Sequence, residues 1–458
     1  MNQRWRAGTV VWAALAGAMA AAPARAAGKV AAGEEKGPSA GQAGDDPHRL
    51  TPWLSLGGDL RLRAIRERAR KLDKNNRGDD RFWQRYRGRV WAKAEPFEGV
   101  ELNLRVVTEP RYYCRRDLPH PLIREEALFD RLHLRWENVL GVPLTATIGR
   151  QDLFLGAGWL VREGTPMDGS RTMFFDAIRF TYKWQEADTT ADLIWIDDHA
   201  NSSEWIRPFN DRDVDLAEQD EQGAILYVSN ASLKKTRLDG YFIYKRDHNR
   251  STRNNGSEGD IYTFGAVAEG ELGGGWAYRV EVAPQFGHKN GRNLCAFGSI
   301  NRLSYRFNDS MDNRLHLGYE YLSGDDDSGR HFDKLWGREA QWSDLYNGAI
   351  DSLDGRDFDS SNLHRPNLTW EFRPVKDVQI ITDYSLLFAD QNTSAGGRRG
   401  LSRHGCFRGQ LLKVQVKHKL NEHVHHRLTG EVFFPGDFYT SARNDVATFL
   451  RYGIVLGW

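Results

Sequence analysis

Arginine recurs at every second position in several stretches of this sequence: Arg61 and Arg63, then Arg85, Arg87 and Arg89, and Arg131 and Arg135 on either side of His133. Alternate positions of an extended chain share one face. A guanidinium stays ionised at any relevant pH, and its planar fork can hold a carboxylate through two N–H groups. Rows of such forks suit the binding and handing-on of anions rather than bond making. Arg105, Arg179, Arg279, Arg373, Arg427 and Arg451, with Lys183, Lys413 and Lys417, fall on the corresponding face of their own segments. Acids on that face are fewer: Glu101, Glu137, Glu281, Glu320, Glu371, Asp383 and Glu431. The face is therefore electropositive although the whole chain carries a formal charge of only +1. Segments such as 197–221 and 325–327 hold much of the balancing negative charge. A second reading is open: ladders of inward Arg and Glu that brace a wall through ion pairs.

The element that must position these cations is a strand with one wet and one greasy face. Leu102, Leu104 and Val106 oppose Glu101, Asn103 and Arg105; Leu412, Val414 and Val416 oppose Lys413, Gln415 and Lys417. The final stretch puts Leu450, Tyr452, Ile454, Leu456 and Trp458 on one face and Arg451 on the other. Eighteen segments of about ten residues alternate in this way, from 54–65 to 446–457, including 172–184, 222–232, 275–286 and 295–307. Tight connections at 96–99, 138–142, 185–188, 273–275, 374–377 and 421–423 interleave with long ones at 66–81, 112–126, 154–171, 200–221, 324–362 and 389–407. Sorting of loop length by strand parity is the habit of outer-membrane barrels, and a soluble sandwich has no reason for it. The expected fold is an all-β, antiparallel up-and-down transmembrane barrel of about 18 strands in a bacterial outer membrane. Both termini are expected on the periplasmic side. An Arg turned to lipid at the bilayer midplane would cost ~2–4 kcal/mol, so the cations belong in the lumen.

Composition agrees. Mean hydropathy is −0.62, and beyond the N-terminus there is no apolar run of the ~20 residues that a membrane helix needs. Residues 1–26 read as a signal peptide, with Arg4 and Arg6, an apolar run from Val10 to Ala22, and a small-x-small end at Ala24-Arg25-Ala26. Residues 27–52 read as a flexible periplasmic leader, which leaves 53–458 for the barrel. Three cysteines, Cys114, Cys295 and Cys406, match neither a disulfide framework nor a zinc site, although export permits one pair.

Three stretches are more specific than a pattern. The first holds Gly149-Arg150-Gln151, Gly156 to Arg162, Gly169-Ser170-Arg171 and Phe175-Asp176-Ala177-Ile178-Arg179. The second is Leu317 to Asp325 followed by Phe332-Asp333-Lys334-Leu335, and the third is Gly430 to Tyr439. Together they resemble the alginate export family, in order, over roughly residues 53–458. The resemblance implies a monomeric eighteen-stranded barrel whose arginine-rich pore passes an acidic polysaccharide outward. It also implies a pore or pore-mouth role for Arg150. Parity with Ile148 would turn Arg150 outward, so that role requires a bulge or strand end near Gly149 to re-aim it.

The expected function is an outer-membrane channel for an alginate-like polyuronate. The alternative is a general anion- or oligosaccharide-selective porin on the same scaffold. Expected partners are the anionic solute, outer-membrane lipid and periplasmic export proteins, with no nucleic acid. The 324–362 loop is expected to gate the mouth or fold inward. No nucleophile elbow, zinc-protease helix or phosphate-cradling loop occurs, so no enzyme, cofactor or metal is expected. Asp325-Asp326-Asp327 lacks EF-hand spacing, and His423, His425 and His426 read as structural.

Overall fold

The computed structural model describes residues 49–458 except 74, 76–79, 115–121, 124–126, 164–173, 202–205, 211–215, 217–218, 249–256, 325–329, 338–339, 351–360 and 393–399. The signal peptide, most of the leader, Gly169-Ser170-Arg171 and Asp325-Asp326-Asp327 lie outside the described residues.

Eighteen long antiparallel strands follow one another around a closed barrel. They are β1 Leu54–Arg68, β2 Arg81–Phe97, β3 Val100–Thr108, β4 Ala127–Trp136, β5 Leu144–Gln151, β6 Phe175–Trp184, β7 Thr189–Asp198, β8 Asp220–Asn230 and β9 Thr236–His248. The second half comprises β10 Gly259–Gly273, β11 Trp276–Lys289, β12 Arg292–Arg306, β13 Arg314–Leu322, β14 Leu363–Val375, β15 Val378–Phe388, β16 Phe407–Lys419, β17 Val424–Pro435 and β18 Ala447–Gly457. Each pairs with its sequence neighbour. β18 closes on β1 from Asp59 opposite Gly457 to Arg68 opposite Thr448. Mutual backbone hydrogen bonds of 3.1 Å between Gly58 and Trp458 extend the seam. Closure leaves no sheet edge, so backbone N–H and C=O groups are satisfied around the ring.

The alternation separates a lipid face from a lumen face. Leu102, Leu134, Ile148, Ile178, Leu193, Leu226, Val280, Leu317 and Leu368 are exposed on the outside. Arg61, Arg105, Arg279, Glu281, Glu320 and Glu431, on the opposite parity of their strands, are buried. Long and short connections sort onto opposite rims, with one departure from the sequence reading. Periodicity left an eight-residue gap at 287–294, but β11 and β12 run on and meet in a two-residue turn at Asn290-Gly291. Both turn residues take positive φ, 52° and 76°, the geometry for which Asn-Gly is the preferred hairpin pair.

The interior is packed from the long-loop rim by two inward-folded connections, 152–163 and 330–350. Leu153, Trp159, Val161, Phe332, Leu335, Trp336, Leu345 and Tyr346 are all buried in one apolar cluster against the wall. Cys114, Cys295 and Cys406 are free thiols.

Candidate functional site

The lumen wall has a cationic sector on β16, β17, β18, β1 and β2. Lys417 lies opposite Arg427, Arg427 opposite Gly453, Gly453 opposite Arg63, and Arg63 opposite Arg85; Arg61 lies opposite Arg87. Gly453 leaves room between Arg427 and Arg63, an ideal Cβ there lying 3.4 Å from Arg63 Cγ. Directly opposed like charges destabilise a sheet unless anions intervene. Some do. Glu109 accepts from Arg61 at 2.7 Å and pairs with Arg85 at 2.9 Å; Asp59 accepts from Arg89 at 2.7 Å and lies 3.6 Å from Arg87. Arg451 donates to Asp344 of the inward loop at 2.5 Å. Arg87 goes furthest in this: it is buried, yet neither its Nε nor its Nη1 has a hydrogen-bond acceptor among the described residues, where Arg85 lacks one at Nε alone.

The other sequence-selected arginines also sit on the inner face. A bulge in β4 turns both Asp130 and Arg131 inward, and Arg105 reaches Asp130 at 2.9 Å and Asp152 at 3.2 Å. Arg131 shares Asp152 at 2.5 Å. Arg179 forks onto Asp192 at 2.8 and 2.9 Å, Arg279 binds Glu269 and, at 2.6 Å, Glu281, and Arg135 pairs with Glu137 at 2.5 Å. Arg373 lies 3.9 Å from Asp312 at the short-turn rim. Exposure grades along the barrel: Arg61, Arg63, Arg87 and Arg105 are buried, whereas the Arg135 and Arg373 side chains toward the short turns are 37% and 43% exposed.

Arg150 is different. The β5 ladder runs without interruption on both sides, setting Arg150 opposite Leu132 and Asp176, on the parity of lipid-facing Ile148 and Ile178. Gly149 does take φ 116°, but no bulge re-aims its neighbour. Instead the Gln151 side chain folds back and donates to the carbonyls of Gly149 and Ala177 at 3.1 and 2.9 Å. The Arg150 guanidinium is fully engaged: two 2.8 Å bonds to Asp176, one of 2.9 Å to the Phe129 carbonyl, and the Phe174 ring 3.8 Å away.

Some lumen cations escaped the sequence reading. Arg302 is opposite Arg279, exposed, and makes no ion pair with the described residues. Its parity with Gly298 and Ile300, which face the inward loops, was the available signal. Arg365 likewise shares the parity of Glu371 and Arg373, and bonds Glu320 at 3.3 Å. Lys245, Lys289 and Arg408 meet loop residues distant in sequence, which no spacing could reveal.

The inward loops dock on three wall carboxylates. Glu320 accepts the indole N–H of Trp159 at 3.1 Å and of Trp342 at 3.0 Å. Glu221 accepts that of Trp336 at 3.0 Å, and Glu431 accepts the Ser343 hydroxyl at 2.5 Å and the Leu345 N–H at 3.0 Å. Gln285 exchanges two bonds with the Asp333 backbone, while Lys289 binds its carboxylate at 2.6 Å. Burial alone would favour a neutral Asp333; Lys289, Lys245 and the Leu335 N–H outweigh it and hold the carboxyl well below the usual range. Trp159 stacks on Phe332 at 5.4 Å, and Trp336 meets Phe175 edge-on at 5.9 Å. The three specific sequence stretches therefore converge inside one barrel.

A family model described as alginate export matches residues 52–452. The chain belongs to the alginate export family. No curated protein matches the sequence. Among solved structures the barrel is similar to OccAB2 of Acinetobacter baumannii (TM-score 0.55, 10% identity, covering 88% of this chain and 98% of that one). It is also similar to a BenF-like porin of Pseudomonas fluorescens Pf-5 (0.55, 8%, 88% and 99%) and to OccD3 (OpdP) of Pseudomonas aeruginosa (0.52, 12%, 88% and 91%). At such identities the likeness shows the fold alone, that of outer-membrane porins. Family and fold together make this alginate-export-family barrel an outer-membrane channel.

Proposed function

We propose that the barrel passes an anionic polysaccharide of the polyuronate type, with the lumen arginines as its successive contacts. The long loops then lie outside the cell and both termini lie in the periplasm. The observation that carries the reading is Arg87, a buried guanidinium with two donor groups that find no acceptor among the described residues, set among Arg61, Arg63, Arg85 and Arg89. Opposed cations cost stability. A wall that keeps them, with donors to spare, is suited to carboxylates that arrive and leave. A polyanion entering from the short-turn side meets the exposed Arg135, Arg373 and Arg302 first, and the enclosed sector after them. Several moderate sites in series allow entry without trapping.

The test is conductance in planar bilayers. Polyuronate should block small-anion current, and the triple change Arg85→Gln, Arg87→Gln and Arg89→Gln should weaken the block at least tenfold. If polyuronates leave the current unaltered while small anions or neutral sugars pass freely, the general porin reading replaces this one.

A further inference from the structure

The outer wall of β1 ends in two cations. Arg61, Arg63, Ile65 and Glu67 are buried on its inner face, so Leu62, Ala64, Arg66 and Arg68 point outward. Trp458 marks where lipid begins on this strand: its ring covers Gly58, where any side chain would collide with it, and it is otherwise exposed. Arg66 and Arg68 stand eight and ten residues further along, ~20 and ~25 Å up the membrane normal at about 3.3 Å per residue and a strand tilt of about 40°. The apolar band of such a barrel is about 25 Å tall, so both guanidinium groups emerge at its far margin, level with the headgroups.

Their charge is poorly met by the protein. Among the described residues Asp80 alone pairs with them, 3.8 Å from Arg66 and 3.9 Å from Arg68, which is beyond hydrogen-bonding reach, and it accepts the Ala69 N–H at 3.0 Å. Neither guanidinium makes a hydrogen bond with the described residues, and their side chains are 48% and 67% exposed. Two cations against one distant carboxylate leave positive charge over. Below them the wall is apolar: Arg66 lies in register between Phe82 of β2 and Leu450 of β18, above Ala64 and Leu62. Alternate residues of a strand are ~7 Å apart, so the two forks can grip one phosphate from either side, each through two N–H groups. Charge selects the kind of phosphate. A monoester carries about −1.5 to −2 near neutral pH and matches two guanidinium groups, whereas a phosphodiester carries a single charge.

We propose that Arg66 and Arg68 form a site for a lipid bearing a phosphate monoester, the chemistry of lipid A in the outer leaflet, with acyl chains lying along Leu62, Ala64, Phe82 and Leu450. The placement in the outer leaflet rests on the long loops lying outside the cell; the site does not depend on the transported solute.

The test is native mass spectrometry of the full-length chain in detergent, titrated with lipid A, dephosphorylated lipid A or phosphatidylglycerol. Lipid A should be retained at least tenfold more tightly than the other two. The double change Arg66→Gln and Arg68→Gln should abolish that preference, while Arg306→Gln, which removes a cation at the short-turn rim, should leave it unaltered. Heat-modifiable mobility on gels checks that the double variant keeps its barrel, and its polyuronate block should equal that of the wild type, so this site and the pore reading fail separately. Equal retention of dephosphorylated lipid A by the wild type would overturn the proposal, and that comparison needs no variant. So would undiminished preference in an intact double variant, or displacement of lipid A by excess inorganic phosphate, which would mark a free-anion site instead.

Discussion

Replacing Trp336 with alanine should release the inward loop without opening the barrel. The indole is fully buried, donates to Glu221 at 3.0 Å, meets Phe175 edge-on, and covers Gly223, where any side chain would collide with its ring. Truncating a buried Trp costs ~3–5 kcal/mol. Glu221 keeps Gln219 at 2.9 Å and Lys245 at 3.1 Å, so little is added for a stranded carboxylate. The eighteen-strand ladder does not run through Trp336, so nearly the whole loss should fall on the docked state of the loop. That shifts docking by about two to nearly four powers of ten. Amide exchange over 340–347 should accelerate accordingly, and basal conductance should rise as the loop leaves the lumen. If those amides stay protected and conductance is unchanged while the barrel melts earlier, Trp336 braces the wall and the docking argument fails.

Two further outcomes follow from the ion pairs. Arg150→Met strands Asp176 and the Phe129 carbonyl; breaking a buried pair from one side costs ~3–5 kcal/mol, so thermal unfolding should drop sharply while polyuronate block is unchanged. Arg150→Lys should rescue little, because an ammonium cannot hold two carboxylate oxygens and a carbonyl in the fork geometry. For Asp333, a folded-state carboxyl held below its unfolded value stabilises docking above about pH 4, and that contribution is lost as pH falls further. Loop protection measured by exchange should therefore decline on acidification below pH 4, and Asp333→Asn should reduce that dependence at the expense of weaker docking at neutral pH.

The strands were legible because each obeys a local rule: lipid on one side forces an apolar parity, and the other side is free to be charged. That rule placed all eighteen strands. It failed where geometry overrides alternation. The Asp130 bulge shifts the phase of β4, and at Asn290-Gly291 the turn signal, not periodicity, marks the end of two strands. Arg150 shows the limit of motif transfer. Its type and position suggested a pore contact, but its environment is an ion pair with Asp176 across β5 and β6. Partners such as Lys289 with Asp333 or Glu431 with Ser343 are 44 and 88 residues apart, and only the closed barrel brings them together.

The inward loops also explain why the lumen wall alternates between charge and vacancy. Trp336 sits where a side chain at Gly223 would be, and Phe332 where one at Gly298 would be, within 2.6 Å of an ideal Cβ. A strand interior ordinarily disfavours glycine. Here each glycine is a socket for a loop aromatic, and a wall carboxylate near the sockets accepts an indole or hydroxyl from the same loop. Apolar contact supplies most of the docking energy; the carboxylates fix its register, since the indole N–H groups of Trp336, Trp159 and Trp342 reach Glu221 and Glu320 at 3.0–3.1 Å only with the loops seated. Filling a socket and deleting a carboxylate are therefore different perturbations. A larger residue at Gly298 should displace the loop, whereas Gln at Glu320 should leave it docked but less uniquely placed, with Arg365 and Lys334 released toward the lumen. The cations that hold the loop and the cations proposed to meet the solute belong to one wall, so changes in loop position alter the field a passing anion encounters.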